Sequence, residues 1–298
     1  MDPVTHALSG MVIQQLGFRR KAAVFVLVLS ALLPDIDYIS RFWGVAALLQ
    51  YHRGISHGIL ALAVVPLIMG FIFRNKGGFF YYYFLSLLGY GSHLLLDLTT
   101  QYGVQILSPL DWNRYSLDLT FIVDPYISIG LLAAVILGRM NKRRAAVIAA
   151  SAVLLIAGYL GGKAYLQERA RLFLKAGADA NVYRVYPLPS GVLRWWYVTK
   201  AGDEISTGIV DLFMEKTFTY QKYRMDWTDP AIIDSKGNKV VRGFLLFAQN
   251  PYAEVRRVHG VATVRWKDLS YSFLPGERFT AEVAMDGKGK IVKSGFKF

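Results

Sequence analysis

The sequence predicts an α-helical multi-pass membrane bundle followed by a C-terminal, mostly antiparallel β domain. Three observations carry that prediction. The 298 residues are 54% hydrophobic and only 18% charged, the balance of a membrane protein with a soluble part. About six apolar runs crowd the first 165 residues. Beyond them the runs shorten, aromatic and β-branched residues alternate with polar ones, and turn dipeptides intervene. The expected domains are therefore residues 1–165, a transmembrane part, and 166–298, a β-rich part.

The N-terminal segment opens with Asp2-Pro3 and Thr5, and Asp2 or Thr5 is suited to cap a helix reaching about Leu16. It does not resemble a signal peptide, because its basic cluster (Arg19, Arg20, Lys21) follows the apolar stretch. The segment is short for a crossing, which takes about 20 residues. Ala22 to Leu33 is apolar and halts at Pro34-Asp35-Ile36-Asp37. The runs Ser56 to Phe73, Phe79 to Leu98, Leu119 to Leu137 and Ala145 to Gly162 complete the six. Pro66 and Pro125 lie inside such runs and predict kinks. In the tail, Leu193–Val198, Gly208–Phe213, Gly260–Trp266 and Phe279–Met285 read as strands, with turns at Asp286-Gly287 and Lys236-Gly237-Asn238.

Charge adds a topology. The basic loops at 19–21, 74–76 and 139–144 are expected to be cytoplasmic, and six alternating segments put all three on one side. The opposite, extracytoplasmic side then receives the C-terminal domain and every unusual ionisable group. The tail from Lys163 carries 22 Lys and Arg against 14 Asp and Glu, a net +8. Such a surface suits membrane lipid, including anionic headgroups. No helix-turn-helix, zinc-finger or base-stacking signature points to nucleic acid.

Four of the five histidines (His6, His52, His57, His93) fall in the first third, with Asp35, Asp37 and Asp97. Ionisable groups are expensive at membrane depth and mark function when they cluster. His93 and Asp97, four apart on a helix, share a face. Asp35 and Asp37 point the same way if the chain after Pro34 is extended. Gly54 permits a turn bringing His52 and His57 inward together. The chain has no cysteine, so any metal is held by imidazole and carboxylate. Mixed N/O ligation suits one or two divalent ions, Zn²⁺ foremost, with Mn²⁺ or Fe²⁺ as alternatives. The expected ligands are His6, Asp35, His52, His57, His93 and Asp97, with Asp37 orienting water. Arg53 offers an oxyanion its planar fork, or else simply reaches toward the interface.

The ordered set Thr5-His6, Leu33-Pro34-Asp35-Ile36-Asp37, His52-Arg53-Gly54-Ile55-Ser56-His57 and His93-Leu94-Leu95-Leu96-Asp97 closely resembles the YdjM-like family of bacterial inner-membrane metal-dependent hydrolases. The likeness is strong to about residue 110. The family is distantly similar to zinc-dependent phospholipase C and the S1/P1 nucleases, whose metals sit among His and Asp side chains. That resemblance implies His6, Asp35, His57, His93 and Asp97 as ligands and the bacterial inner membrane as the location. The chain departs from those enzymes in lacking a second His-x-x-x-acid helix. Hydrolysis of a lipid-linked phosphoester is the leading expectation. A non-enzymatic scaffold or regulator, or a transporter with a structural metal, is the alternative.

Overall fold

A computed structural model of the chain describes residues 1–298 apart from 178, 179, 277, 288 and 298. In chain order the helices are α1 (Pro3–Gln15), α2 (Ala23–Leu32), α3 (Val45–Tyr51), α4 (Ile59–Gly77), α5 (Phe79–Leu98), α6 (Pro125–Met140), α7 (Ala145–Gly177), α8 (Pro230–Ser235) and α9 (Lys239–Phe247). The strands are β1 (Val182–Pro187), β2 (Arg194–Ala201), β3 (Glu204–Asp211), β4 (Lys216–Arg224), β5 (Pro251–Val258), β6 (Val261–Asp268), β7 (Thr280–Met285) and β8 (Ile291–Lys297). Short 3₁₀ helices occupy Leu33–Trp43 and Ile55–His57.

The chain divides into two compact units. The first comprises residues 1–37, 53–166 and 187–192; the second comprises 38–52, 167–186 and 193–298. In the first, α1 packs against α2, α5 and α6, and α2 and α4 pack against α5. One apolar core gathers Leu8, Val12, Ile127, Leu131 and Ala149; another gathers Val26, Leu27, Met69, Tyr82 and Leu85. The 187–192 loop is tied on by Lys163, whose buried ammonium donates to the Gly191 carbonyl at 2.7 Å, and by Tyr126 donating to Ser190.

Local sequence explains the helix starts. Asp2 caps α1 by accepting from the Thr5 N–H. Asp124 caps α6, accepting from Tyr126 and Ile127, while Pro125 takes the first helical position, where its missing N–H costs nothing. Pro125 therefore begins a helix instead of kinking one. Three described segments are long and apolar enough to cross a membrane: Ala23–Trp43, Ile59–Gly77 and Ala145–Gly177. The α6 helix is apolar but shorter, and α1 has only 13 residues. The expected six crossings thus reduce to three by this measure, because α1 and α6 lack length and α5 mixes His93, Asp97, serine and tyrosine among its leucines.

The second unit holds two four-stranded sheets, ordered β1-β2-β3-β4 and β5-β6-β7-β8. The pairings from β2 to β4 and from β5 to β8 are antiparallel. Its buried side chains include Trp195, Trp196, Phe244, Trp266 and Tyr271, and the Trp196 indole donates to the Leu269 carbonyl. The Lys236-Gly237-Asn238 turn joins two helices, not two strands: Asn238 caps α9 by accepting from Val240. The α3 helix, from the early part of the chain, packs on α9 in this unit.

Candidate metal centre

Two glycines bring the helices of the first unit close enough for the site to form. A Cβ on Gly89 of α5 would stand 2.6 Å from the Leu27 carbonyl oxygen of α2, and one on Gly10 of α1 would stand 3.0 Å from the same atom. Only a bare Cα admits that approach. Ser30 of α2 also donates to Ser86 of α5 at 2.8 Å. With α2 so held, the Ala31 carbonyl reaches His93 Nδ1 at 2.7 Å, and Asp35 follows just beyond the helix end.

Asp35, His57, His93 and Asp97 then converge, each offering one ligand atom, all within 4.8 Å of one another. His57 Nε2 lies 3.1 Å from His93 Nε2, 3.4 Å from Asp97 Oδ2 and 3.6 Å from Asp35 Oδ1. His93 Nε2 lies 3.5 Å from Asp97 Oδ2 and 3.7 Å from Asp35 Oδ1. Metal–ligand bonds of about 2.0–2.1 Å in a tetrahedron separate neighbouring ligand atoms by about 3.3–3.4 Å. The five measured separations bracket that value.

Hydrogen bonding says which atoms are free to ligate. His93 Nδ1–H is fixed by the Ala31 carbonyl, which leaves Nε2 with a bare lone pair. His57 Nδ1 lies 3.1 Å from Asp37 Oδ2, an arrangement that puts its proton on Nδ1 and its lone pair on Nε2. Asp97 Oδ2 is buried, with Arg53 Nε 2.9 Å away in an ion pair. Two imidazole nitrogens and two carboxylate oxygens facing one point favour a cation among them. The donor set fits a divalent ion.

Around the four, further groups hold them in place. Asp37 Oδ2 accepts from the Arg53 backbone N–H at 2.8 Å and from the Ser56 hydroxyl at 2.6 Å. The buried Arg53 guanidinium donates from Nη2 to Asp97 Oδ1 at 2.9 Å, and from Nη1 to Thr100 Oγ1 and the Tyr102 carbonyl at 2.8 and 2.6 Å. Its face lies over the Tyr102 ring, 4.9 Å from the centroid. Tyr90 donates to the Ser56 carbonyl. The Met1 backbone nitrogen also contacts Asp97 Oδ1.

Several sequence expectations change. His6 is fully buried but stands beside the four: its ring stacks on His93 with centroids 3.6 Å apart, and its Nε2 is 3.3 Å from Asp97 Oδ1. His52 belongs to the second unit, where its ring meets Tyr38 edge-on at 5.3 Å. The positive φ in that loop belongs to Arg53, at 57°, not to Gly54. Leu33–Trp43 is a 3₁₀ helix, not an extended turn, yet Asp35 and Asp37 still bring carboxylate oxygens within 4.8 Å of each other. They meet His57 at opposite nitrogens. Arg53, expected to offer its fork to an oxyanion, spends it on Asp97, Thr100 and Tyr102. The supporting Ala31 carbonyl, Ser56, Tyr90, Thr100 and Tyr102 carry no sequence signal beyond their closeness to the motifs.

Comparison with known proteins bears on the same region. A family model described as YdjM inner membrane protein matches residues 1–170, more than half of the chain. The uncharacterized protein YfhP of Bacillus subtilis (strain 168) is 30% identical over 106 residues, covering 34% of this chain and 32% of that protein. The shared stretch is thus about a third of either protein. No solved structure matches.

Proposed function

The chain belongs to the YdjM inner membrane protein family, and from that premise and the four-ligand geometry we propose a membrane-bound, metal-dependent hydrolase acting on a phosphoester of a lipid or lipid-linked substrate. The observation that carries the reading is the set of near-tetrahedral spacings among Asp35, His57, His93 and Asp97. Zinc is the preferred ion, since two imidazoles and two carboxylates at these separations match its bond lengths. The reading extends to six membrane-associated segments, with the site and the C-terminal domain on the extracytoplasmic side. The basic loops at 19–21, 74–76 and 139–144 support that orientation.

When bound, a divalent ion supplies positive charge against a developing oxyanion and makes water nucleophilic near neutral pH. The chain's own groups divide the remaining work. His57, His93 and Asp97 are sealed from solvent, whereas the Asp35 side chain keeps 21% of its surface exposed. Asp35 is therefore the residue that water and substrate meet; its Oδ1 faces the two imidazoles, and we assign its other oxygen the proton of the attacking water. Asp37 holds His57 in its ligating tautomer, and Arg53 holds Asp97. Both act through those ligands.

One observation favours a second reading. Four protein ligands fill a tetrahedron, which is the habit of structural zinc sites, while catalytic sites keep a position open. On that view the ion braces a scaffold or regulator. Asp35→Asn separates the two. Metal-loaded protein is incubated with phospholipid vesicles and with a soluble chromogenic phosphodiester, and headgroup or chromophore release is followed. The hydrolase reading expects Asp35→Asn, assayed at saturating metal, to lose about 10²-fold or more in rate. Release at the wild-type rate by Asp35→Asn, or no release by the wild type with Zn²⁺, Mn²⁺ or Fe²⁺, would refute it.

A further inference from the structure

At the other ends of α1 and α2 from the metal cluster lies a second concavity, of about 660 Å³. It is walled by the last turn of α1, the start of α2, the C-terminal turn of α6 and the turn leading into α7. Arg19, Arg139, Lys142 and Arg143 line it, and no acidic residue does. Nine residues of α1 separate His6 from Gln15, about 14 Å along the helix, so the two sites are distinct.

Two features separate this pocket from an ordinary positive flank. Arg19, Lys142 and Arg143 make no ion pair or hydrogen bond among the described residues, and Arg139 reaches only Met11 Sδ, at 4.0 Å. Four cations from two distant parts of the chain thus face one hollow with nothing to neutralise them. A topology signal needs positive residues near helix ends; it does not need them gathered and unpaired around a cavity. The rest of the lining is the amides Gln14 and Gln15 and an apolar wall of Met11, Val24, Val135, Gly138 and Ala145. The close approach that shapes this wall is local too. Gln15 Nε2 donates to the Val135 carbonyl at 3.0 Å, and a Cβ on Gly138 would fall 2.3 Å from Gln15 Oε1.

We propose that this pocket binds the headgroup of an anionic phospholipid. Its arginines would take the phosphate oxygens in paired, charge-assisted hydrogen bonds, and its apolar wall would take the glycerol ester region. A free phosphate ion satisfies the cations but leaves the apolar wall wet, so the pocket fits a lipid better than an inorganic anion. Basic pockets between membrane helices are built for such headgroups.

The test uses full-length protein reconstituted in phosphatidylcholine with and without phosphatidylglycerol, then moved to a neutral detergent. Retained lipid is identified and counted by phosphorus and mass analysis. The wild type should retain phosphatidylglycerol at a fixed ratio to protein, lost progressively with added salt. Arg139→Gln/Arg143→Gln should retain at least tenfold less while keeping its metal content, and Arg139→Lys/Arg143→Lys should retain most of it. Lys216→Gln/Arg224→Gln, an equal charge loss on exposed strand β4, should change nothing. Equal retention by the Arg139/Arg143 glutamine variant, equal loss in the β4 control, or equal retention of phosphatidylcholine would each overturn the proposal. Displacement of the lipid by millimolar inorganic phosphate would overturn it in favour of a free-anion site.

Discussion

Replacing Gly89 with alanine should disable the metal centre from a position that touches no ligand. The added Cβ would sit 2.6 Å from the Leu27 carbonyl oxygen, where ordinary contact begins at 3.4 Å. The obstacle is backbone, so α2 must retreat by about 0.8 Å. If it does, the 2.7 Å hydrogen bond between the Ala31 carbonyl and His93 Nδ1 stretches toward about 3.5 Å, the edge of a hydrogen bond. Asp35, carried beyond the end of the same helix, moves off the two imidazoles as well. Loss of such an orienting partner weakens metal binding about 10–100-fold, or about 1.4–2.8 kcal/mol. Overpacking adds a stability loss of about 1–3 kcal/mol, larger than the ~1 kcal/mol that alanine gains over glycine in a helix. Metal affinity by chelator competition and thermal midpoint are the two readouts. Gly130→Ala in α6, with nothing within 4 Å of the new methyl, should leave metal affinity unchanged and stability equal or higher. Wild-type affinity in Gly89→Ala would refute the claim that the α2–α5 approach sets the site.

Other consequences are simpler to read. Asp37→Asn removes the charged partner of His57 Nδ1 and should weaken metal binding about 10-fold or more, seen as a faster loss of metal to chelator. Asp124→Ala removes the α6 cap and the acceptor of the Tyr159 hydroxyl, 2.9 Å away, and should lower stability by about 1–2 kcal/mol, measured by thermal unfolding in detergent. In the β domain, Asp211 is held below the usual carboxylate range chiefly by the Met214 backbone N–H, aided by Arg194 and the Phe213 N–H against the effect of burial. A depressed carboxylate stabilises the fold above its ordinary value of 3.8 and loses that contribution as pH falls below it. Tryptophan fluorescence of the acid transition should therefore show a shallower pH slope in Asp211→Asn.

Much of this arrangement could be read from the chain. Apolar runs located α2, α4 and α5 to within a few residues and the start of α7, because apolar length is a direct signal; α7 continues to Gly177, beyond the apolar run that ended at Gly162. Alternation located β2, β3, β6 and β7. The exposed β4, with Lys216, Gln221, Lys222 and Arg224 among its nine residues, has only Phe218 and Tyr220 in alternation, and both stay exposed. Asp35, His57, His93 and Asp97 were all expected as ligands, since ionisable groups amid apolar sequence are costly and conspicuous. What spacing could not supply was direction. The 3₁₀ turn that sets Asp35 and Asp37 against opposite nitrogens of His57 depends on tertiary packing. So does the burial of Arg53, whose partners Thr100 and Tyr102 lie about fifty residues away in an unpatterned loop. Nor could spacing show that His52 and His57 belong to different compact units.

Metal content of the purified full-length protein tests the central claim most directly, compared among wild type, His57→Ala, His93→Ala and a His52→Ala control. The account predicts bound divalent metal in stoichiometric amount in the wild type and in His52→Ala, and a drop of at least tenfold in His57→Ala and His93→Ala. Wild-type metal content in both His57→Ala and His93→Ala would contradict it.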